Sequence, residues 1–87
     1  MTYSIVDPAD FTSDGVFFED AFVRSVNQFD WSQYSGRAVL VRGCRTALMP
    51  PWALMLITGK LTPIVKSVRY GNEHDNIVIY RRPEKDV

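Results

Sequence analysis

The only cysteine of the chain, Cys44, stands in the stretch AVLVRGCRTALMPPWA (Ala38–Ala53), directly after Gly43 and between Arg42 and Arg45. An apolar run that ends at a glycine and resumes at a double proline reads as a strand leading through a turn into a helix. Unpaired backbone N–H groups at a helix start, with two guanidinium groups beside them, favour an anion. The same positive field would hold more of the Cys44 thiol as thiolate, the form that attacks electrophiles and binds soft metals. Arg42, Cys44, Arg45 and Thr46 are therefore the candidate binding residues, either as a reactive thiol or as an anion-binding turn. The competing reading is structural, since a lone cysteine is also a small apolar plug well suited to burial at a tight turn.

Other chemistry-bearing groups are sparser. His74 lies in GNEHDN beside Glu73 and Asp75, three side chain types that bind metals, but no second histidine exists to complete a zinc site. No metal site is therefore expected, the cofactor is left open, and a solvated turn is the simpler account of this stretch. A thiolate–imidazole pair between Cys44 and His74 requires two loops to share one rim, and nothing in the spacing demands that. Arg81 and Arg82 close the chain's last apolar run, where paired cations commonly guard a strand edge. Phosphate loops, dinucleotide fingerprints, paired cysteines and nucleophile elbows are all missing, so no catalytic residues are assigned and a non-enzymatic role is favoured.

Composition narrows the classes further. Ten basic and ten acidic side chains cancel, which removes the positive surface that nucleic-acid binding needs. With 87 residues the chain is expected to form a single small domain, 1–87, with an N-terminal strand and turn over 1–15 and a C-terminal tail over 82–87. Apolar residues make up 46% of it and aromatic residues 13%, more than so small a sphere can hide, so apolar surface is expected outside a monomer. One cysteine fits a reducing compartment. No signal peptide and no apolar run of membrane-spanning length is evident, so a cytoplasmic location without membrane or nucleic-acid partners is expected.

The elements that must position these groups can be read from periodicity. Thr2–Asp7 reads as a short strand closed by Pro8, and Asp10, Ser13, Asp14 and Gly15 as a polar turn. Phe18, Phe22, Val26 and Phe29 fall on one stripe of a 3.6-residue period and predict a helix, with Glu19 and Asp20 at its positive end. Asp30–Gly36 reads as an irregular turn that returns Trp31 and Tyr34 to the core. Arg37–Gly43 reads as a strand covered on both faces. Pro50–Leu61 reads as a second helix with Pro51 at its first position, weakened by Gly59 and ended by Pro63. Val65–Asn72 and Asn76–Arg82 read as strands joined by a hairpin. Strand, helix and strand in succession imply a right-handed crossover between parallel neighbours, and the last strand then pairs antiparallel to the second of them. The expected fold is of the α+β or α/β class: a small three- to four-stranded mixed sheet, with a βαβ crossover followed by a β-hairpin and an N-terminal helix.

The second helix has hardly any polar face. Trp52, Leu54, Met55, Leu56 and Ile57 run almost without interruption, so the helix is either sandwiched between sheet and first helix or forms half of an interface. Trp52, Met55 and Leu56 are the candidate interface residues.

The succession DWSQYSG, AVLVRGC, PPWALMLI, KLTPIVKSVRYG and IVIYRR resembles an uncharacterised bacterial family, domain of unknown function 2480, over about Val16–Arg82. The resemblance rests on Asp30–Tyr34, Gly43–Cys44, Pro51–Ala53, Leu61 with Pro63 and Lys66, Tyr70–Gly71 and Ile79–Arg81. It implies relatives about twice as long, built as two such units in tandem, with genes that often lie among iron–sulfur assembly genes; it assigns no activity. A lone unit whose relatives pack two together should pair with itself about a two-fold axis. The expected function is that of a small dimeric adaptor that binds another protein, linked through the resemblance to sulfur or iron–sulfur handling. The alternatives are a thiol-dependent carrier or redox protein using Cys44, and a small-anion or nucleotide sensor at the turn before Pro51.

Overall fold

A computed structural model describes residues 3–14, 16–43 and 49–83. Strand β1 (Ser4–Val6) leads into a 3-10 turn at Pro8–Phe11, then helix α1 (Glu19–Gln28) and a second 3-10 turn at Trp31–Tyr34. Strand β2 (Ala38–Arg42), helix α2 (Pro51–Leu61), and strands β3 (Ser67–Gly71) and β4 (Asn76–Arg81) complete the chain. The four strands form one sheet in sequence order, with β1, β2 and β3 parallel and β4 antiparallel to β3. The mixed sheet, both helices and the closing hairpin are those expected from the sequence.

The order fixes where the helices lie. Two successive right-handed crossovers that step the same way along a sheet put both helices on one face. The core agrees: Phe22 and Val26 of α1 pack with Ala53, Ile57 and Leu61 of α2 against Val6, Val39, Val41 and Val68, and all nine are buried. Leu40 is also fully buried but turns to the other face, in register with Ile5 and Arg69. There Arg69 donates to Asn76 Oδ1 at 2.9 Å and stands 5.8 Å from the Tyr3 ring centre.

The first turns depart from the expected pattern. Asp7 accepts from the Ala9 N–H and starts the Pro8–Phe11 turn, which drives Phe11 into the core instead of leaving a polar bend. Phe18 is the N-cap of α1 and is 56% exposed, so it drops out of the apolar stripe, and Phe17 packs on Phe22 at 5.0 Å in its place. A residue just before a helix has extended backbone, so the 3.6-residue stripe does not extend back through it.

Asp30 likewise starts the second turn, accepting from the Ser32 N–H at 3.1 Å. That turn brings Trp31 back onto Phe11 and Phe29, at 5.5 and 4.7 Å between ring centres, and Trp31 Nε1 donates to the Val26 carbonyl at 2.8 Å. At the far end of the sheet, Gly71 has φ +138°, and a Cβ there would collide with the Asp75 carbonyl and Asn76. Only glycine closes the β3–β4 hairpin in this form.

Candidate functional site

Cys44, Arg45 and Thr46 lie outside the described residues, so the expected thiol or anion site is placed only through Arg42. Arg42 ends β2, where its guanidinium donates to Glu73 Oε2 at 3.0 Å and stands 4.0 Å from Asp7 Oδ2. Three consecutive strand ends therefore meet in one ion-pair cluster: Asp7 after β1, Arg42 at the end of β2, and Glu73 in the loop after β3. An incoming anion would have to displace these carboxylates, and a half-exposed cluster of this kind contributes about 1 kcal/mol or less per pair. Gly43 N–H donates to the Gly71 carbonyl at 2.9 Å, which continues the sheet contact one residue further.

His74 sits exposed in the hairpin loop. Its backbone N–H and that of Asp75 both donate to Asn72 Oδ1 at 2.8 Å, and Glu73 is engaged by Arg42. Among the described residues no three histidine, aspartate or glutamate side chains are grouped to hold a metal ion. Arg82 does not guard the sheet edge. Its Nη2 donates to the Pro63 carbonyl at 2.8 Å and its Nε to the Val65 carbonyl at 3.2 Å, so the side chain turns back onto its own chain.

The candidate interface residues fare differently from one another. Leu56 is half-buried against the core. Trp52 packs its ring on Phe17 and Phe22, at 5.6 and 6.1 Å, while remaining 37% exposed. Met55 is 72% exposed on the outer side of α2. The helix is therefore not sandwiched. Ala53, Ile57 and Leu61 supply its buried face, and the opposite side meets solvent although it is nearly as apolar.

Beside that open side runs a groove of about 520 Å³, lined by Met55, Thr58, Gly59 and Thr62 of the helix end and by Val68, Tyr70 and Ile79 of the sheet. It exists because two helices roof three strands and β4 lies beyond them. Ile77, Val78 and Ile79 are 62%, 44% and 48% exposed. The register puts Ile77 opposite Tyr70 and so on the helix side, and Val78 opposite Arg69 on the other side. A β-bulge follows, leaving Ile79 as the extra residue and letting Ile79 and Tyr80 both face the helix side. The outer α2 surface, the groove and β4 thus form one continuous apolar flank. Sequence reading found its helical half. The strand half was signalled by NIVIY, an apolar run lacking the alternation of a half-covered strand, but its place at the sheet edge is set by topology.

A second cavity, about 320 Å³, opens between β1 and the end of α1 and is lined by residues including Asp10, Gln28, Phe29 and Tyr34. Burial, and after it the Asp10 carboxylate, holds the Tyr34 phenol above its ordinary pKa.

These features define a small α+β domain with one roofed sheet face and one uncovered apolar flank, and they contain no assembled acid–base or nucleophilic centre among the described residues. The chain belongs to the family described as protein of unknown function (DUF2480), whose model matches residues 3–82. No curated protein and no solved structure matches it. Among the described residues no helix is long and apolar enough to cross a membrane.

Proposed function

We propose that this chain is a non-enzymatic interaction domain that pairs with a second copy of itself and, as a pair, offers its groove to a partner protein. One observation carries the reading: the apolar flank that runs from Met55 across the groove to Ile77 and Ile79. A contiguous patch of this kind is costly on a soluble monomer and is the usual mark of an interface. The neutral charge balance adds no long-range repulsion between copies. Sedimentation equilibrium over about 1–500 μM tests the pairing, because a small interface gives affinities in or near that range. The expected mass rises to twice the chain's 10.0 kDa. A mass that stays at 10.0 kDa throughout overturns the reading.

A further inference from the structure

We infer that the end of the sheet where β2 and β3 begin carries a binding site for a small phosphate-bearing molecule, its phosphate group held between Lys66 and Arg82. The inference goes beyond the self-pairing proposed above and does not depend on it.

At the opposite end of the sheet, carboxylates already surround Arg42. Here the cations stand together instead. The register continues one residue beyond the strands: the Lys66 N–H donates to the Arg37 carbonyl and the Arg82 N–H to the Lys66 carbonyl, each at 2.9 Å. Arg37, Lys66 and Arg82 therefore form a row across three neighbouring strands, with backbones about 4.8 Å apart. Alternation puts all three on the face of Val39, Val68 and Tyr80, the side that carries the helices. All three are exposed, and among the described residues the only ion pairs are those of Arg42 with Asp7 and Glu73. Asp30, the carboxylate at the start of the neighbouring 3-10 turn, accepts from the Ser32 N–H and hydroxyl. Like charges side by side on adjacent strands repel, so the row is unfavourable until a negative group joins it.

The end of α2 offsets only part of this charge. Its partial negative charge is met by Lys60 in the last turn and by Arg82, bound to the Pro63 and Val65 carbonyls, which leaves Arg37 and Lys66 in excess. The same two hydrogen bonds fix the Arg82 guanidinium in place and leave its Nη1 without a partner among the described residues. The row borders a cleft of about 490 Å³ lined by Ser35, Gly36, Pro63, Ile64, Lys66 and Arg82. A recess of that size suits a small molecule. Phosphate is the group that matches it. It brings close to two negative charges at neutral pH and three strong acceptor oxygens, enough for Lys66, Arg82 Nη1 and the Ser35 hydroxyl together. A carboxylate brings one charge and two oxygens.

Inorganic pyrophosphate is the probe, titrated into dilute protein with ionic strength held constant by sodium chloride. The amide resonances of Ser35, Gly36 and Lys66 and the Arg82 Nε resonance should move together on one binding curve. Arg37→Gln and Lys66→Gln should each weaken binding about three- to fivefold. Neither side chain makes a hydrogen bond among the described residues and both are exposed, so the variants keep the fold. Arg24→Gln, an exposed cation on α1, should leave binding unchanged. Adenosine diphosphate in the same titration separates the sources of the phosphate: equal or weaker affinity means that the free group is read, and tighter binding that it arrives on a nucleotide. The inference is overturned if those resonances stay in place, if the surroundings of Arg24 and Arg42 move as much as the cleft, or if Arg37→Gln and Lys66→Gln leave the affinity unchanged.

Discussion

At the scale of single residues, Tyr34 carries the clearest link between burial and titration. Loss of water around its phenol, and secondly the Asp10 carboxylate, raise its pKa above the ordinary 10.0. The folded chain then holds that proton more tightly than the unfolded chain does. The stability this contributes is fully present below pH 10.0 and is lost as pH rises from there through the folded value. Urea unfolding above pH 10 should therefore show wild-type stability falling more steeply than that of Tyr34→Phe, which has no proton to lose. Parallel decline of the two proteins would show that Tyr34 is not responsible. Arg42 illustrates the opposite case, in which a residue type chosen for anion chemistry is already paired. The sequence placed it at the end of a strand correctly, but its carboxylate partners come from positions 7 and 73 and are neighbours only because the three strands are parallel and adjacent.

Among elements, α2 is the most informative because its composition conceals its orientation. Ile57 is fully buried and Met55, two positions earlier, is 72% exposed, although both are large and apolar. Truncating Ile57 to alanine removes packing contacts and opens a cavity, at a cost of about 2–4 kcal/mol. Met55→Ala takes away atoms that already meet water and should leave monomer stability within about 0.5 kcal/mol of wild type. Chemical denaturation of the two variants at low concentration measures the contrast, and equal losses would mean that the outer face of α2 is covered in the monomer. Strand β4 presents the same problem in another form. Its bulge at Ile79 gives two adjacent residues the same face, so an apolar run that alternation would divide between two surfaces is concentrated along the groove.

For the whole molecule, the arrangement of layers matters more than any one contact. Each helix packs over the pair of strands it connects, α1 over β1 and β2 and α2 over β2 and β3, and β4 follows a hairpin with no helix of its own. The fourth strand is left outside, and the hydrophobic surface it carries is the one on which the proposed pairing rests. Pairing that requires the folded state ties thermal stability to concentration. A hundredfold dilution from a mostly dimeric sample should lower Tm by roughly 5 °C. A Tm unaffected by dilution would place the flank in solvent in the working protein, and with it the proposed adaptor role would lose its basis.

Much of this fold was legible in the chain itself. The helix over residues 51–61, announced by Pro51 and by an unbroken apolar run, and the strands bounded by Gly43 and Gly71 follow from local rules of propensity and backbone freedom, which depend on neighbours in sequence. The first turn departs from the sequence reading because Phe11 is brought inside by a 3-10 turn that Asp7 starts, and Phe18 is the cap of a helix that begins one residue later and whose buried stripe starts at Phe22. The parallel pairing of β2 with β3 and the antiparallel return of β4 also followed, since short connections and crossover handedness leave few choices, whereas the place of β1 beside β2 came from the structure. What only the tertiary structure decided is which apolar residues meet water. Leu40 and Val78 are both aliphatic strand residues with the same local signal, yet one is fully buried and the other 44% exposed. Both side chains turn to the face that carries no helix, so the difference lies in the strands alongside: Leu40 stands between Ile5 and Arg69, whereas Val78 has a strand on one side only. Exposure is a property of position within the assembled layers, and no window of adjacent residues contains it.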